Sequence, residues 1–283
     1  MKRISVVPNI KKDESLVATT KLIDILLSLG KEIWVDESLD LPDIKKVKKV
    51  KPEKLSEADL LVVLGGDGTI LEVAQSVAKE NTPVLGINLG HLGFLSSAED
   101  FSKEMFEEIF AGNYSIRECM MLSAEVVEKG KTVEKFTALN DIVLKGELAR
   151  MINIDLDIDG TNTNNYPADG VIIATATGST AYSLSAGGAI VHPELDAIII
   201  TPICPHTLKA RCMIVPDSKT VQVSFSEPYR NNAVLNVDGE GNLVLSENAS
   251  VRVEKSKYKV KFINLNKRNF YDIIREKIAD RTI

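Results

Sequence analysis

The sequence predicts a chain in two parts: an α/β N-terminal domain on an open, mostly parallel sheet, and a mainly antiparallel β-sandwich C-terminal domain. Up to about residue 113, short apolar runs alternate with segments of helical spacing; from about Tyr114 the hydrophobic period changes from 3.6 to 2. A length of 283 residues leaves room for about two domains of ordinary size. The boundaries follow as 1–113 and 114–265, with a terminal helix within 266–283 expected to pack back onto the first part.

In order along the chain, Ile4–Val7 reads as a short buried strand. Glu14–Leu29 follows as a helix, with Leu22, Ile23, Leu26 and Leu29 at helical spacing and Gly30 closing it. Ile33–Val35 is a second strand, and Lys45–Lys54 is expected to be a solvated, lysine-rich connector. Leu60–Leu64 is apolar without interruption, as in a strand buried on both faces. Thr69–Ala78 is helical in spacing, Pro83–Ile87 is strand-like, and Ala98–Phe110 closes the region as a helix. Beyond it, Ile152, Ile154, Leu156 and Ile158 alternate with polar residues and run into the hairpin signal Asp159-Gly160. Val221–Phe225 and Val251–Phe262 continue the alternation, and Asn269–Ile278 reads as the terminal helix.

Composition excludes several classes. Apolar residues make up 44% and charged residues 26%, the balance of an ordinary globular chain. With 34 Lys+Arg against 40 Asp+Glu the net charge is −6, which argues against nucleic acid or an anionic membrane as partner. No apolar run approaches the roughly 18–20 residues of a membrane span. Cys119, Cys204 and Cys212 form no CxxC pair and are expected as small core residues of a reduced, cytoplasmic protein. His91, His192 and His206 are too few and too scattered for a zinc site, so no metal-ligand set is assigned; the last two flank prolines and read as loop anchors.

The first chemical signal is Gly65-Gly66-Asp67-Gly68-Thr69, between an apolar strand and a helix. A glycine-rich turn of this kind lets backbone N–H groups approach a phosphate at the positive end of a helix dipole. No lysine stands where GxxxxGK[ST] would put one, so the segment is not a P-loop. Asp67 would repel an anion unless it meets a divalent cation or takes a proton, so it suits Mg²⁺ coordination or general-base work in phosphoryl transfer. The second signal is Asp169–Gly188, where a strand runs into a series of small hydroxylated residues around Tyr182, which could stack on a base or fill core. The third is Asn140-Asp141, two polar groups interrupting an apolar stretch, for which a ribose diol would be a partner.

Together these segments resemble the ATP-dependent NAD kinase family: GGDGT at Gly65–Thr69, INLGHLGFL at Ile87–Leu95, Asn140-Asp141, and DG…TATGSTAYSLSAGG at Asp169–Gly188. PICPHTL at Pro202–Leu208 and Val237-Asp238-Gly239 extend the likeness in family order over nearly the whole chain. The resemblance implies a phosphotransferase that moves the γ-phosphate of ATP, with Mg²⁺ carried mainly by its phosphates, to the adenosine ribose 2′-hydroxyl of NAD, making NADP. Asp67 would be the catalytic base or orienting group. Gly65, Gly66, Gly68 and Thr69 would hold phosphates, while Asn140 and Asp141 would bind ribose or adenine. The adenine and ribose pocket would be lined by Thr180, Ala181, Tyr182, Ser183, Leu184 and Ser185. Asp169 would approach the nicotinamide end with Phe94 packing nearby, and Arg150 and Glu240 would make further NAD contacts, the basic one often from a neighbouring subunit. A homodimer or homotetramer is implied.

The sequence departs from the family pattern in three places: Ala176 stands where proline is usual, Asp141 where glutamate is commoner, and Pro167 where arginine is frequent. A GGDG-type lipid kinase and a non-catalytic NADP(H)-binding sensor are the rival readings. The first would need an apolar entrance, and the second would have no use for Asp67.

Overall fold

The structure, a computed structural model, describes residues 1–41, 44–90, 93–227, 232–246, 248–265 and 269–279. The chain divides into two compact units, Met1–Glu118 with Val260–Ile283, and Cys119–Lys259. His91, to which the sequence gives no role, lies outside the described residues, as do 266–268 and 280–283 of the terminal segment.

In the first unit the elements are β1 (Arg3–Pro8), α1 (Val17–Ser28), β2 (Glu32–Asp36), β3 (Val47–Val50), β4 (Leu60–Leu64), α2 (Asp67–Glu80), β5 (Val84–Ile87) and α3 (Lys103–Ala111). The five strands pair in parallel in the order β5-β4-β1-β2-β3. All five residues of β4 are buried, which is why its run carries no alternation. Leu22, Ile23 and Leu26 of α1 pack with Ile4, Val6, Leu60 and Val62 in one aliphatic core.

Two helix starts and one connector differ from the sequence expectation by more than two residues, each for a local reason. Helix α1 starts at Val17 because the Asp13 carboxylate accepts from the N–H groups of Ala18 and Thr19 and from the Thr19 hydroxyl, capping the helix from outside. Helix α3 starts at Lys103, where the Ser102 hydroxyl accepts from Met105 N–H, while Ala98 bridges to Ile87. The lysine-rich segment is no mere connector: Val47–Val50 adds an edge strand to β2, with Lys48 and Lys49 exposed.

The second unit is antiparallel. Its strands are β6 (Ser115–Glu128, entering from the first unit), β7 (Lys131–Ala138), β8 (Asp141–Gly146), β9 (Ile152–Ile158), β10 (Thr161–Ala168), β11 (Gly170–Thr175), β12 (Ala197–Ile203), β13 (Met213–Pro216), β14 (Val221–Phe225), β15 (Ala233–Val237), β16 (Glu240–Val244) and β17 (Ala249–Asn264, returning to the first unit). A four-residue helix α4 (Tyr182–Ser185) follows β11, and α5 (Phe270–Ala279) ends the described chain.

One sheet runs β13-β12-β11-β8-β15-β16; β14 pairs with β9 and β17, and β10 with β9. Ile142, Leu144, Val171, Ile173, Ile198 and Ile200 from the first sheet meet Ile152, Ile154, Val221, Val223 and Val251 from the second in one core, the arrangement of a sandwich. The alternate residues Val143, Ile172, Ala174 and Ile199 turn to the other face, where Ala176 and Val191 cover them. The Asp159-Gly160 turn joins β9 to β10 with both residues at positive φ (51° and 79°), as a two-residue hairpin requires.

Of the cysteines, Cys119 is buried as expected, but Cys204 is exposed at φ 43°, on the turn leaving β12, and Cys212 is half-buried. His206 N–H donates to Pro167 O (2.8 Å), and His192 Nδ1 accepts from Glu194 N–H (3.3 Å).

Candidate functional site

The parallel sheet reverses its winding between β1 and β4: from β1 the chain moves to β2 and β3 on one side, and then to β4 and β5 on the other. Ligands of open α/β sheets bind outside the carboxyl ends of strands at such a reversal. Gly65–Thr69 lies there. Asn9 N–H donates to Leu64 O (2.7 Å) and Gly65 N–H to Ile87 O (2.9 Å), so the ends of β1, β4 and β5 are stitched together. A Cβ on Gly65 would come 2.7 Å from Thr69 Oγ1 and 3.0 Å from Asn9 Cβ, so only glycine fits.

Gly66 is extended and begins α2 at Asp67, whose own N–H and that of Gly68 belong to the first helical turn and have no partner inside the helix. Thr69 is buried and its hydroxyl accepts from Asn9 Nδ2 (2.8 Å), which ties the turn to the loop after β1. The Asp67 carboxylate is held by two backbone donors: Phe94 N–H to Oδ2 (2.9 Å) and Leu95 N–H to Oδ1 (3.1 Å). That approach needs Gly93, where a Cβ would sit 2.0 Å from Asp67 Oδ1. Ser96 Oγ accepts from Gly93 N–H (2.8 Å), and Arg117 donates to Phe94 O (3.2 Å). The Phe94 ring lies 6.4 Å from that of Phe270. Phe94 therefore contributes its N–H to the placing of Asp67, a role the sequence did not suggest.

The second group of predicted residues gathers in the second unit. Asn140 and Asp141 lead into β8, and the Asp238 carboxylate accepts from three successive N–H groups there: Leu139 (2.7 Å), Asn140 (2.7 Å) and Asp141 (3.0 Å). Asp238 N–H returns a bond to Asp141 O (3.0 Å), and Thr175 N–H donates to Asn140 O (2.9 Å). A Cβ on Gly178 would lie 2.1 Å from Asn140 O. Burial, reinforced by the Asp238 carboxylate, pushes Asp141 up to about 7. Burial also raises Asp238, against the three N–H groups that favour its ionised form. A buried Asp141 carboxyl raised to about 7 can donate as well as accept, so it can meet a diol either way.

Asn140, Asp141, Ala181, Tyr182 and Asp238 line one cleft of about 420 Å³. Asp169 and Tyr182 line another of about 550 Å³, and Lys145 and Asn242 line both. Tyr182 is 44% exposed and open to both clefts, so it does not fill core. The rest of the predicted segment plays a different part. Ser183 is fully buried against Thr201 (2.8 Å), Thr180 Oγ1 donates to Thr177 O (3.2 Å), and Leu184 and Ser185 line neither cleft. Arg150 and Glu240 are exposed and line neither cleft.

Asn9, Gly93, Ser96, Arg117, Asn236 and Asp238 were given no role by sequence reasoning. Asn236 sits buried in the first cleft with Oδ1 unpaired among the described residues. Only Gly93, inside the segment Ile87–Leu95, and Asp238, inside Val237-Asp238-Gly239, lay in motifs already noticed.

Residues 4–114 match the family model of the ATP-NAD kinase N-terminal domain, and residues 139–265 that of the ATP-NAD kinase C-terminal domain. The chain is 41% identical over 286 residues to the NAD kinase of Caldanaerobacter subterraneus subsp. tengcongensis, covering 99% of this chain and 100% of that protein. It is 45% identical over 233 residues to the NAD kinase of Carboxydothermus hydrogenoformans, covering 81% and 82% respectively. Among solved structures it is similar to yeast NADH kinase complexed with NADH, with a TM-score of 0.84 and 27% identity, covering 100% of this chain and 89% of that one. It is also similar to an NAD kinase from Archaeoglobus fulgidus in complex with ATP, with a TM-score of 0.75 and 26% identity, covering 96% and 98%. With both domain models matched in order and relatives of this similarity along its whole length, the chain belongs to the ATP-NAD kinase family.

Proposed function

We propose that the chain transfers the γ-phosphate of ATP to the 2′-hydroxyl of the adenosine ribose of NAD, with Asp67 as the group that orients the hydroxyl and takes its proton. The observation that carries this reading is the carboxylate of Asp67, fixed by two backbone N–H donors at the first residue of α2. A carboxylate held this way has one defined direction from which to accept a hydroxyl proton. Phosphoryl transfer through a metaphosphate-like state needs little proton removal early, so placing the hydroxyl matters more than basicity. The phosphates would be held by the N–H groups of Gly66, Asp67 and Gly68 at the helix start.

The divalent cation enters as part of the substrate, on the nucleotide phosphates, where it would neutralise developing charge. Asp67 is the carboxylate of the glycine turn able to face such an ion, and among the described residues no group of three or more His, Cys, Asp or Glu forms a cage for one. Asn140 and the Asp141/Asp238 pair would hold the ribose hydroxyls, with Tyr182 against the base and Asp169 toward the nicotinamide end. Arg150 and Glu240, exposed and outside both clefts, would make further NAD contacts, the basic one from a neighbouring subunit of a homodimer or homotetramer. A cytoplasmic location is supported by three cysteines that are all unpaired. No described helix is long and apolar enough to cross a membrane.

The deciding test is Asp67→Asn, assayed for NADP formation from ATP, Mg²⁺ and NAD by a coupled NADP-specific dehydrogenase, beside NAD binding by calorimetry. Turnover should fall by about 10²-fold or more, within the range a positioned base contributes, while NAD binding survives. Wild-type turnover in Asp67→Asn would refute the role of Asp67.

A further inference from the structure

The glycine turn has no lysine of its own, yet the fold brings one to it from the loop after β1. That loop is tightly made. Asn9 Oδ1 accepts from the N–H groups of Lys11 (3.1 Å) and Lys12 (3.2 Å), and Asn9 O accepts from those of Lys12 (3.0 Å) and Asp13 (3.0 Å). At one end Asn9 Nδ2 ties the loop to Thr69, in the first turn of α2 (2.8 Å). At the other, the buried Asp13 carboxylate is committed to the start of α1. Lys12 thus projects from a backbone anchored on both sides. Its Nζ stands where a Cβ built on Gly66 would approach it to 3.3 Å, and its bond to Asn88 Oδ1 is long at 3.4 Å. An ammonium with donors to spare, beside the extended residue that opens α2, complements the N–H groups of that helix start.

We propose that Lys12 is a phosphate-binding residue of this kinase, its ammonium meeting a phosphate oxygen seated on Gly65–Gly68. This rests on the reading that the turn holds substrate phosphates. The shared chemistry is a phosphate oxyanion, which reaches the enzyme as the triphosphate of ATP or as the pyrophosphate of NAD. In a chain of net charge −6, attraction of either polyanion depends on local cations. Lysine acts here as a point charge on a flexible stem, as the P-loop lysine does from a different position in sequence. The position of Lys12 follows from the Asn9–Thr69 bond, so the cation and the helix start form one unit.

The test uses full-length Lys12→Ala and Lys12→Arg, with Lys103→Ala as a control that removes the same charge from a partly exposed surface ion pair. Initial rates are measured with ATP varied at saturating NAD and with NAD varied at saturating ATP. In Lys12→Ala the KM for ATP should rise by about 10- to 100-fold, the loss expected of one charge-assisted phosphate contact. The KM for NAD should change by less than about 2-fold. Lys12→Arg should recover most of the loss, and Lys103→Ala should match the wild type. Because Lys12 is exposed, the variants should melt with the wild-type protein. A rise confined to the KM for NAD still supports a phosphate contact and assigns it to the dinucleotide pyrophosphate. If neither KM moves, or if Lys103→Ala gives the same shift, the assignment to Lys12 is overturned. Failure of the wild-type protein to form NADP would instead overturn the kinase reading, so the two failures are distinct.

Discussion

Gly93→Ala is the sharpest probe of how Asp67 is held, because it alters the carboxylate without touching it chemically. Gly93 has no positive φ, so alanine meets no backbone strain there. Its new Cβ, however, would lie 2.0 Å from Asp67 Oδ1, 2.5 Å from Cγ and 2.7 Å from Oδ2. Ordinary contact begins at 3.4 Å, so the carboxylate or the 93–95 loop must move by about 1.4 Å. Either movement breaks the bonds from Phe94 and Leu95 N–H, which stand at 2.9 Å and 3.1 Å. Two charge-assisted bonds are worth about 3–6 kcal/mol gross, but a half-buried carboxylate regains much of that from water. The net stability loss should therefore be about 1–2 kcal/mol, the range of an ordinary point substitution. Catalysis should suffer more, since a displacement of about 1 Å costs on the order of 10²-fold in rate. The coupled NADP assay, run beside a thermal melt, separates the two effects: kcat should fall about 100-fold with the fold intact. A variant that melts normally and keeps full kcat would refute the claim that the 93–95 loop places Asp67.

Two further outcomes follow from the second unit. Gly178→Ala would drive a Cβ to 2.1 Å from Asn140 O and 2.5 Å from its carbonyl carbon, atoms that no rotamer change can move. It should cost about 1–3 kcal/mol in urea unfolding and raise the KM for NAD while sparing that for ATP; an unchanged KM for NAD would show that Asn140 is not a substrate contact. The Asp141 carboxyl, raised from 3.8 to about 7, keeps its proton in the folded chain where the unfolded chain has released it. Its stabilising contribution is therefore complete below about pH 4 and is lost as pH rises to about 7. Across that window wild-type stability should fall by on the order of 4 kcal/mol relative to Asp141→Asn, then run parallel above it; a constant difference from pH 4 to 7 would refute the shift.

What the sequence displayed was local. Leu60–Leu64 could be read as a central strand because burial on both faces removes alternation, and the glycine turn could be read because its residues are consecutive. Val47–Val50 escaped because an exposed edge strand of four residues with two lysines at its centre has the composition of a surface loop. The starts of α1 and α3 were misplaced because the apolar spacing continues past the capping groups of Asp13 and Ser102, and only hydrogen bonds decide where a helix begins. In the candidate site, Asp67 and the pair Asn140-Asp141 were visible, whereas what orients them was not. Gly93, Asn9 and Asp238 act through space on partners far away in sequence, and a single chain carries no sign of such a pairing. In the hydroxyl-rich segment, Ser179 and Ser183 spend their bonds inside the unit, which composition alone does not reveal.

The division of the chain has a consequence for the order of its making. Cys119–Lys259 is continuous, while the first unit is interrupted by it and finished only by Val260–Ile283. Phe262 pairs with Val84, Ile263 O accepts from the Ser97 hydroxyl, Arg117 lies 5.5 Å from the Phe262 ring, and Phe270 meets Phe94. The loop that holds Asp67 is thus braced by residues made only after the whole of the second unit. Domains usually fold from the N-terminus during synthesis; here the inserted half has its full complement of residues first, and the half bearing the glycine turn waits for the segment that begins at Val260.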